Sequence, residues 1–391
     1  MNTQTKIDTK LKTSNNNDAP ISELIIAGCL TLFCAIVYAV YFSSSVVTSP
    51  QGSTSPKPPL FNLILSTPIL IIMLFSCLSL GSARVVRFWQ SQIDRRPLTV
   101  WLFPTVGCLL SAIYMLSTSQ FRWNDAITLA VYLFIPVALG LRRALWADWG
   151  IALAISLPIQ YKFKIAGYRL MDLPQMPVDG GVQIHILLAV CVTFWTLLVV
   201  RQLKDFEFRL HITREDFIFG IKLFAVFGLL VMPLGLVTHF IEWRPFTIHL
   251  QYKVPPIVYL FIPIGLYLSV ALPEEVMFRG VIQNLLNKTT QALGVLFLRF
   301  PIFKNISQFL PKKALTAPFI ALILNALIFG ITHKKNGGDP VYYWSYAAFA
   351  TLAGAFYGYA YLRTNRLNAG AVMHALVDSA WLIFFNPKGL H

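Results

Sequence analysis

Long apolar runs recur along most of the chain, separated by short polar or charged segments. Each run is long enough to cross roughly 30 Å of hydrocarbon as a helix of about 20 residues. Barrel strands would be about ten residues long and would alternate apolar and polar positions. The pattern therefore predicts an all-α, polytopic transmembrane helix bundle with ten or eleven spans. The expected spans are residues 24–45, 60–80, 98–116, 126–141, 182–200, 217–239, 255–285, 315–331, 342–361 and 369–385, and more weakly 149–161.

Side chains capable of chemistry are concentrated toward the C-terminus. The spans before residue 200 contain almost no ionisable groups, whereas the last four contain glutamates, histidines and an aspartate. The contrast predicts a disordered cytoplasmic tail over residues 1–20 and an N-terminal transmembrane extension over 21–200. A polar connector over 201–216, which could form a surface helix, precedes a second membrane domain over 217–391. Residues 287–313 are too interrupted to span and read as an interfacial segment.

The chain carries a formal net charge of +15, which raises the question of a nucleic-acid partner. Its lysines and arginines are spread over short loops without aromatic interleaving, so the positive-inside rule explains them better. That rule places the basic loops, near residues 84–96, 142–143, 201–214 and 304–313, in the cytoplasm. Basic loops alternate with loops that carry few positive charges only if residues 149–161 also cross the membrane. We therefore expect eleven spans, a cytoplasmic N-terminus and the cell (inner) membrane, with the lipid bilayer as the surrounding partner.

All five cysteines lie in or beside apolar runs, and no CxxC pair is present. This distribution predicts neither disulfides nor a cysteine zinc site.

Glu274 and Glu275 lie inside an otherwise apolar run. A charged side chain near a bilayer centre costs about 2.5–3.5 kcal/mol on insertion scales, so function is the default hypothesis. Arg279 is four residues after Glu275 and would pair with it on a helix, leaving Glu274 for other work. The ordinary alternative for Glu275 and Arg279 is an ion pair that only fixes helix packing.

Two further helices place polar residues at a spacing of four. His333 follows Phe329 and Asn325 by one and two turns, and His374 precedes Asp378 by one turn. A carboxylate and two imidazoles in one cavity can activate water and hold an oxyanion, as in a hydrolase. The same groups, Glu274, His333 and His374, are also possible zinc ligands, although no HExxH sequence is present.

Glu274-Glu275-x-x-x-Arg279, then Phe329-x-x-x-His333, then His374-x-x-x-Asp378 resemble the ordered motifs of the CPBP intramembrane proteases, which include the type II CAAX prenyl endopeptidases. The resemblance covers roughly residues 217–385 and implies an intramembrane endopeptidase without a cofactor, acting on a hydrophobic or prenylated peptide. It implies that Glu274 and His333 activate water and that His374, with Asp378, stabilises the oxyanion. Glu275 and Arg279 would support the site, with Phe329 and Asn325 as further supporting residues.

Asp378 departs from the eukaryotic prenyl endopeptidases, where an asparagine often stands at the matching position. An ionised aspartate cannot donate to an oxyanion, so Asp378 is either kept protonated or orients His374, which we favour. Two other functions stay open on the sequence: a proton-coupled transporter, since buried Glu and His also relay protons, and a non-catalytic scaffold or maturation factor.

Overall fold

The computed structural model describes residues 20–43, 60–117, 121–160, 184–203, 206, 208–243, 259–297, 317–334 and 340–387. Nearly all of these residues are helical, which confirms the all-α prediction, and a helix lies at every place where a span is expected. The predicted N-terminal tail and most of the interfacial segment lie outside the described residues.

The extension consists of α1 (Pro20–Ser43), α2 (Leu60–Ser79), α3 (Ala83–Arg95), α4 (Leu102–Ser117), α5 (Trp123–Gly140), α6 (Leu145–Gln160) and α7 (Ile184–Phe194). A 3-10 turn, Pro97–Trp101, leads into α4, and a π-helical turn, Trp195–Val200, extends α7.

The C-terminal half consists of α8 (Arg214–Val237), α9 (Ile262–Leu266), α10 (Leu272–Glu275), α11 (Asn284–Phe297), α12 (Ala317–Thr332), α13 (Tyr343–Thr364) and α14 (Leu367–Phe384), with a 3-10 turn, Pro340–Tyr342, before α13. Two short strands, β1 (Ile241–Trp243) and β2 (Phe385–Pro387), follow α8 and α14 and pair antiparallel with Glu242 opposite Asn386.

Three described helices, α5, α8 and α14, are long and apolar enough to cross a membrane. Residues Thr67–Ser79 and Ala83–Arg95 would form a fourth span if counted together, but they are bent by 95°. Five further apolar helical stretches are 10–17 residues long. The expected number of ten or eleven spans therefore stays a prediction.

Two local predictions are corrected. The basic segment after α2 is the helix α3 rather than a loop, and its arginines alternate with apolar residues in a strongly amphipathic pattern. The connector was a candidate surface helix, yet its described residues are not helical before Arg214. There Phe206 and Phe208 are buried instead, and Phe208 stacks on Phe194 of α7 with ring centroids 4.1 Å apart.

One continuous helical segment, residues 262–297, carries both glutamates, and we call it the glutamate helix. It contains α9, α10 and α11, joined by the π-helical turns Tyr267–Ala271 and Val276–Gln283. Widened turns of this kind change which face a side chain occupies and often occur at functional sites. Here they flank the short α-helical stretch that holds Glu274 and Glu275.

Small residues allow the helices of the C-terminal half to pack closely around the glutamate helix. A Cβ at Gly330 of α12 would overlap Thr351 of α13, and a Cβ at Gly220 of α8 would lie 2.9 Å from the Ala369 carbonyl oxygen of α14. Such contacts are typical of membrane helices, whose backbones approach where small residues meet. The result is a tight bundle in which α10, α12, α13 and α14 surround one polar interior.

Candidate active site

Glu275 and Arg279 form the fully buried base of the site. The Glu275 Oε1 atom lies 3.1 Å from an Arg279 guanidinium nitrogen, and both side chains are 0% exposed. Arg279 also donates to the Gly354 carbonyl oxygen of α13 at 2.9 Å. Its guanidinium carbon lies 4.7 Å from the Phe329 ring centroid and 5.2 Å from that of Tyr357. A buried charge needs a partner and a defined geometry, and these contacts supply both.

His374 is held on two sides. Its Nδ1 atom lies 3.2 Å from Glu275 Oε1, and its ring stacks on Tyr357 with centroids 4.4 Å apart and planes 17° from parallel. Because an ionised carboxylate only accepts, a hydrogen bond here requires the proton on Nδ1. The other ring nitrogen, Nε2, then faces Asp378 Oδ2 at 3.5 Å and Glu274 Oε2 at 3.8 Å.

His333 is oriented in the same way from α12. Its Nδ1 atom lies 2.7 Å from the Phe329 carbonyl oxygen, which can only accept a hydrogen bond. Its Nε2 atom therefore points toward Glu274, whose Oε2 atom is 3.3 Å away. Both histidines thus present Nε2 to the same glutamate oxygen, although they arrive on different helices.

Exposure divides the site into a closed base and an accessible face. The side chains of Glu274, His333 and Asp378 are 27%, 16% and 32% exposed. Glu275 and Arg279 are completely enclosed, and His374 is nearly so. A substrate can therefore reach Glu274, His333 and Asp378, whereas Glu275 and Arg279 act only through other residues.

The two remaining predicted residues support the site from α12. Phe329 is buried and packs against His333, with ring centroids 4.2 Å apart. Asn325 is also buried, and its side-chain amide donates to Gln283 Oε1 at 3.3 Å, one turn beyond Arg279 on the glutamate helix. Phe329 therefore touches a candidate catalytic residue directly, whereas Asn325 lies deeper.

All eight residues singled out from the sequence are brought together, but some contacts were not anticipated. Glu275 was assigned to Arg279 alone, yet it also contacts His374. Tyr357 was missed, and it belongs to none of the three motifs. A signal was present in Gly354 and Gly358, a spacing of small residues that marks close helix contact around Tyr357.

Gly370 of α14 explains how Glu275 comes so close to His374. A Cβ at this position would lie 2.7 Å from Glu275 Oε2. Any side chain other than hydrogen would therefore displace the carboxylate that contacts the His374 ring.

For a metal, the described residues contain no group of three or more His, Cys, Asp or Glu side chains arranged to hold an ion. Glu274, His333 and His374 do lie together: Glu274 Oε2 is 3.3 Å from His333 Nε2 and 3.8 Å from His374 Nε2, and among the described residues it has no hydrogen-bond partner. The arrangement suits acid–base chemistry, since a carboxylate and an imidazole nitrogen can exchange a proton over these distances.

Comparison with known proteins identifies the C-terminal region. Residues 256–380 match the family model described as type II CAAX prenyl endopeptidase Rce1-like. No curated protein and no solved structure matches the chain. The Rce1-like family consists of membrane-embedded helical proteases, which supports peptidase activity and a membrane location. The resemblance noted in the sequence is thus confirmed over residues 256–380, where the chain is similar to the Rce1-like family.

Proposed function

We propose that this protein is an intramembrane endopeptidase that hydrolyses a peptide bond in a membrane-embedded or lipidated substrate. One observation carries the proposal: the Glu274 side chain is 27% exposed, and its buried Oε2 atom faces the Nε2 atoms of both His333 and His374. A base beside two imidazoles is the minimum needed to activate water and to stabilise the charge that develops.

In the first step, water bound beside Glu274 and His333 loses a proton to this pair as its oxygen attacks the peptide carbonyl carbon. The carbonyl oxygen becomes an oxyanion in the tetrahedral intermediate. The same pair then returns the proton to the leaving nitrogen as the carbon–nitrogen bond breaks. Collapse of the intermediate gives a carboxylic acid and a neutral amine, and transfer of the acid's proton leaves a carboxylate and an ammonium ion, so atoms and charge balance without a cofactor.

His374 is proposed as the oxyanion donor. Carboxylates face both of its ring nitrogens, Glu275 at Nδ1 and Asp378 at Nε2, an arrangement that suits an imidazolium. An imidazolium donates through Nε2, so Asp378 need not donate itself. This supports an orienting role for Asp378 rather than a protonated one.

The test compares peptide termini by mass spectrometry in membranes containing wild type or Glu274→Gln, a near-isosteric change that removes the base. We expect fragments with wild type that are absent with Glu274→Gln. Glu215→Gln is the matched control, because the Glu215 side chain is 88% exposed on α8 and lies outside the site. Fragments that persist in Glu274→Gln would refute the proposal, and identical profiles in all three would favour a scaffold or a proton-coupled carrier.

Treatment with a chelator tests whether cleavage depends on zinc, the alternative cofactor. Metal-free acid–base catalysis predicts unchanged cleavage after treatment with a chelator and dialysis. Loss of cleavage that zinc restores would instead assign Glu274, His333 and His374 as ligands. We also propose the cell membrane with a cytoplasmic N-terminus, on the distribution of lysine and arginine between loops.

A further inference from the structure

We propose that a cluster of arginines at one end of the extension binds the phosphate groups of anionic phospholipids at the membrane surface. The cluster lies outside residues 256–380, and its binding of lipid does not depend on peptidase activity. We call it the basic rim. It consists of six exposed arginines: Arg84, Arg87, Arg95 and Arg96 in or directly after α3, and Arg142 and Arg143 after α5.

The helix α3 lies nearly at a right angle to α2. The two are bent by 95°, and α3 begins at Ala83, shortly after α2 ends at Ser79. The 20 residues of α2 are enough to cross the hydrocarbon core, whereas arginines inside that core are costly. With α2 crossing the bilayer, the 13 residues of α3 therefore run along the membrane surface for about 20 Å.

One face of α3 is fixed against the bundle. Trp89 and Ile93 pack on the hydrophobic core, and the Trp89 ring meets that of Trp195 with centroids 5.5 Å apart. The Gln90 side-chain amide donates to the Leu198 carbonyl oxygen at 2.8 Å, at the end of α7. These contacts hold the apolar face of α3 inward, so its opposite face points away from the bundle.

The outward face of α3 combines arginines with an aromatic ring. Arg84, Arg87 and Arg95 lie on the same side of the helix and are exposed. Phe88 lies among them and is 51% exposed. Helices in the membrane interface have this composition, because the ring enters the acyl-chain boundary while the guanidinium groups reach the headgroups.

The second part of the basic rim lies at the same end of the extension. A Cβ at Gly140 would lie 3.4 Å from a Val200 methyl group, so α5 ends beside the end of α7, where α3 is also anchored. Arg142 and Arg143 follow directly, and Trp146 is 63% exposed close behind them. Exposed arginine and an exposed aromatic ring thus occur together again.

Carboxylates are scarce around the basic rim. Residues 80–100 and 140–148 contain two, Asp94 and Asp148, and Asp148 is buried and paired with Arg201. Within the described ranges, no arginine of the rim lies at ion-pair distance from a carboxylate. Arginine binds phosphate through two parallel hydrogen bonds, whereas lysine acts as a point charge. The rim is therefore complementary to a layer of phosphate groups.

A nucleic acid or an acidic protein would offer the same negative charge. The exposed rings of Phe88 and Trp146 favour lipid, because amphipathic aromatic side chains fit the boundary between headgroups and acyl chains. Anionic lipid also lies beside the rim at all times, which a soluble partner does not.

The experiment uses the full-length protein, stripped of lipid in a neutral detergent. It is titrated with phosphatidylglycerol or with phosphatidylcholine of the same acyl chains, and native mass spectrometry gives the apparent affinity for each lipid. We expect wild type to bind phosphatidylglycerol at least tenfold more tightly. This preference should fall as the salt concentration is raised, because salt screens exposed charges.

Each basic residue near a membrane surface changes the affinity about fivefold. Arg87→Gln should therefore weaken phosphatidylglycerol binding about fivefold, and its combination with Arg84→Gln and Arg95→Gln should remove most of the preference. Arg122→Gln is the matched control and should leave the preference unchanged. Arg122 is exposed beside the exposed Trp123, but it lies at the opposite end of α5. Melting temperatures in detergent show that each variant is folded.

Equal affinity of wild type for the two lipids would overturn the proposal, as would a preference that survives the triple substitution. An equal loss in Arg122→Gln would also overturn it, since the position of the arginine would then not matter. Inorganic phosphate or a short RNA that binds more tightly than phosphatidylglycerol, and is lost with the same substitutions, would assign the basic rim to that ligand instead. Phe88→Ser should weaken binding of both lipids by a similar factor, and no effect would contradict insertion of the ring.

Discussion

The extension and the Rce1-like region bury different kinds of side chain. The described part of the extension buries mostly apolar side chains, and the ion pair between its Asp148 and Arg201 of the connector lies where α6 meets the end of α7. The Rce1-like region instead buries Glu275, Arg279 and His374 together. Burying charged side chains in a membrane protein costs free energy and adds little to its stability. Buried charged groups therefore indicate a chemical role rather than a stabilising one. We therefore expect the extension to contribute packing and the Rce1-like region to contain the reactive groups.

The largest expected effect is on stability and cleavage, and it distinguishes the ion pair of Glu275 and Arg279 from that of Asp148 and Arg201. Arg279→Ala removes the buried partner of the Glu275 carboxylate and leaves only the His374 ring beside it. Breaking a buried ion pair in this way costs about 3–5 kcal/mol in unfolding free energy, and cleavage should be abolished. Arg201→Ala leaves Asp148 beside a partly exposed position, since the Arg201 side chain is 14% exposed, so a smaller loss is expected. Thermal unfolding in detergent and cleavage per folded protein measure both. Equal destabilisation with normal cleavage in both variants would remove the distinction.

Two glycines, one in each region, leave similarly little room for a side chain. A Cβ at Gly370 would lie 2.7 Å from Glu275 Oε2, and one at Gly140 would lie 2.9 Å from the Thr196 methyl group. Gly370→Ala should displace the carboxylate that contacts His374 and lower kcat/KM by about tenfold or more, since each 1.4 kcal/mol is tenfold. Gly140→Ala should lower the melting temperature but change kcat/KM less than about twofold. Matching activity losses would show that overpacking anywhere in the bundle has the same effect.

The smallest expected effect concerns Asp378. If it orients His374, Asp378→Asn keeps a polar group of the same shape and should reduce kcat by about tenfold at most. Asp378→Ala removes the contact with Nε2 and should cost more. Asp94→Asn, at an exposed aspartate on α3, is the control in the extension. A complete loss of kcat in Asp378→Asn would show that the negative charge itself is needed.

Helix positions were predictable because a bilayer imposes one solution on long apolar runs. The sequence predicted less well whether each helix crosses the membrane. The amphipathic helix α3 was missed because its arginines were interpreted as part of a loop. The connector was also misjudged, since Phe206 and Phe208 turn inward and the aromatic contacts of Phe208 with Phe194 could not be read from local composition.

The sequence by itself determined the helical class, and it predicted the two regions and the eight candidate site residues, because polar groups at a spacing of four inside apolar runs are too costly to be incidental. Only the tertiary structure decided that Glu275 contacts both Arg279 and His374, that Tyr357 stacks on His374, and that both Nε2 atoms face Glu274. These contacts join four helices, and their geometry depends on where Gly330, Gly354 and Gly370 let backbones approach. Spacing along one helix fixes a face, whereas distances between helices follow from packing.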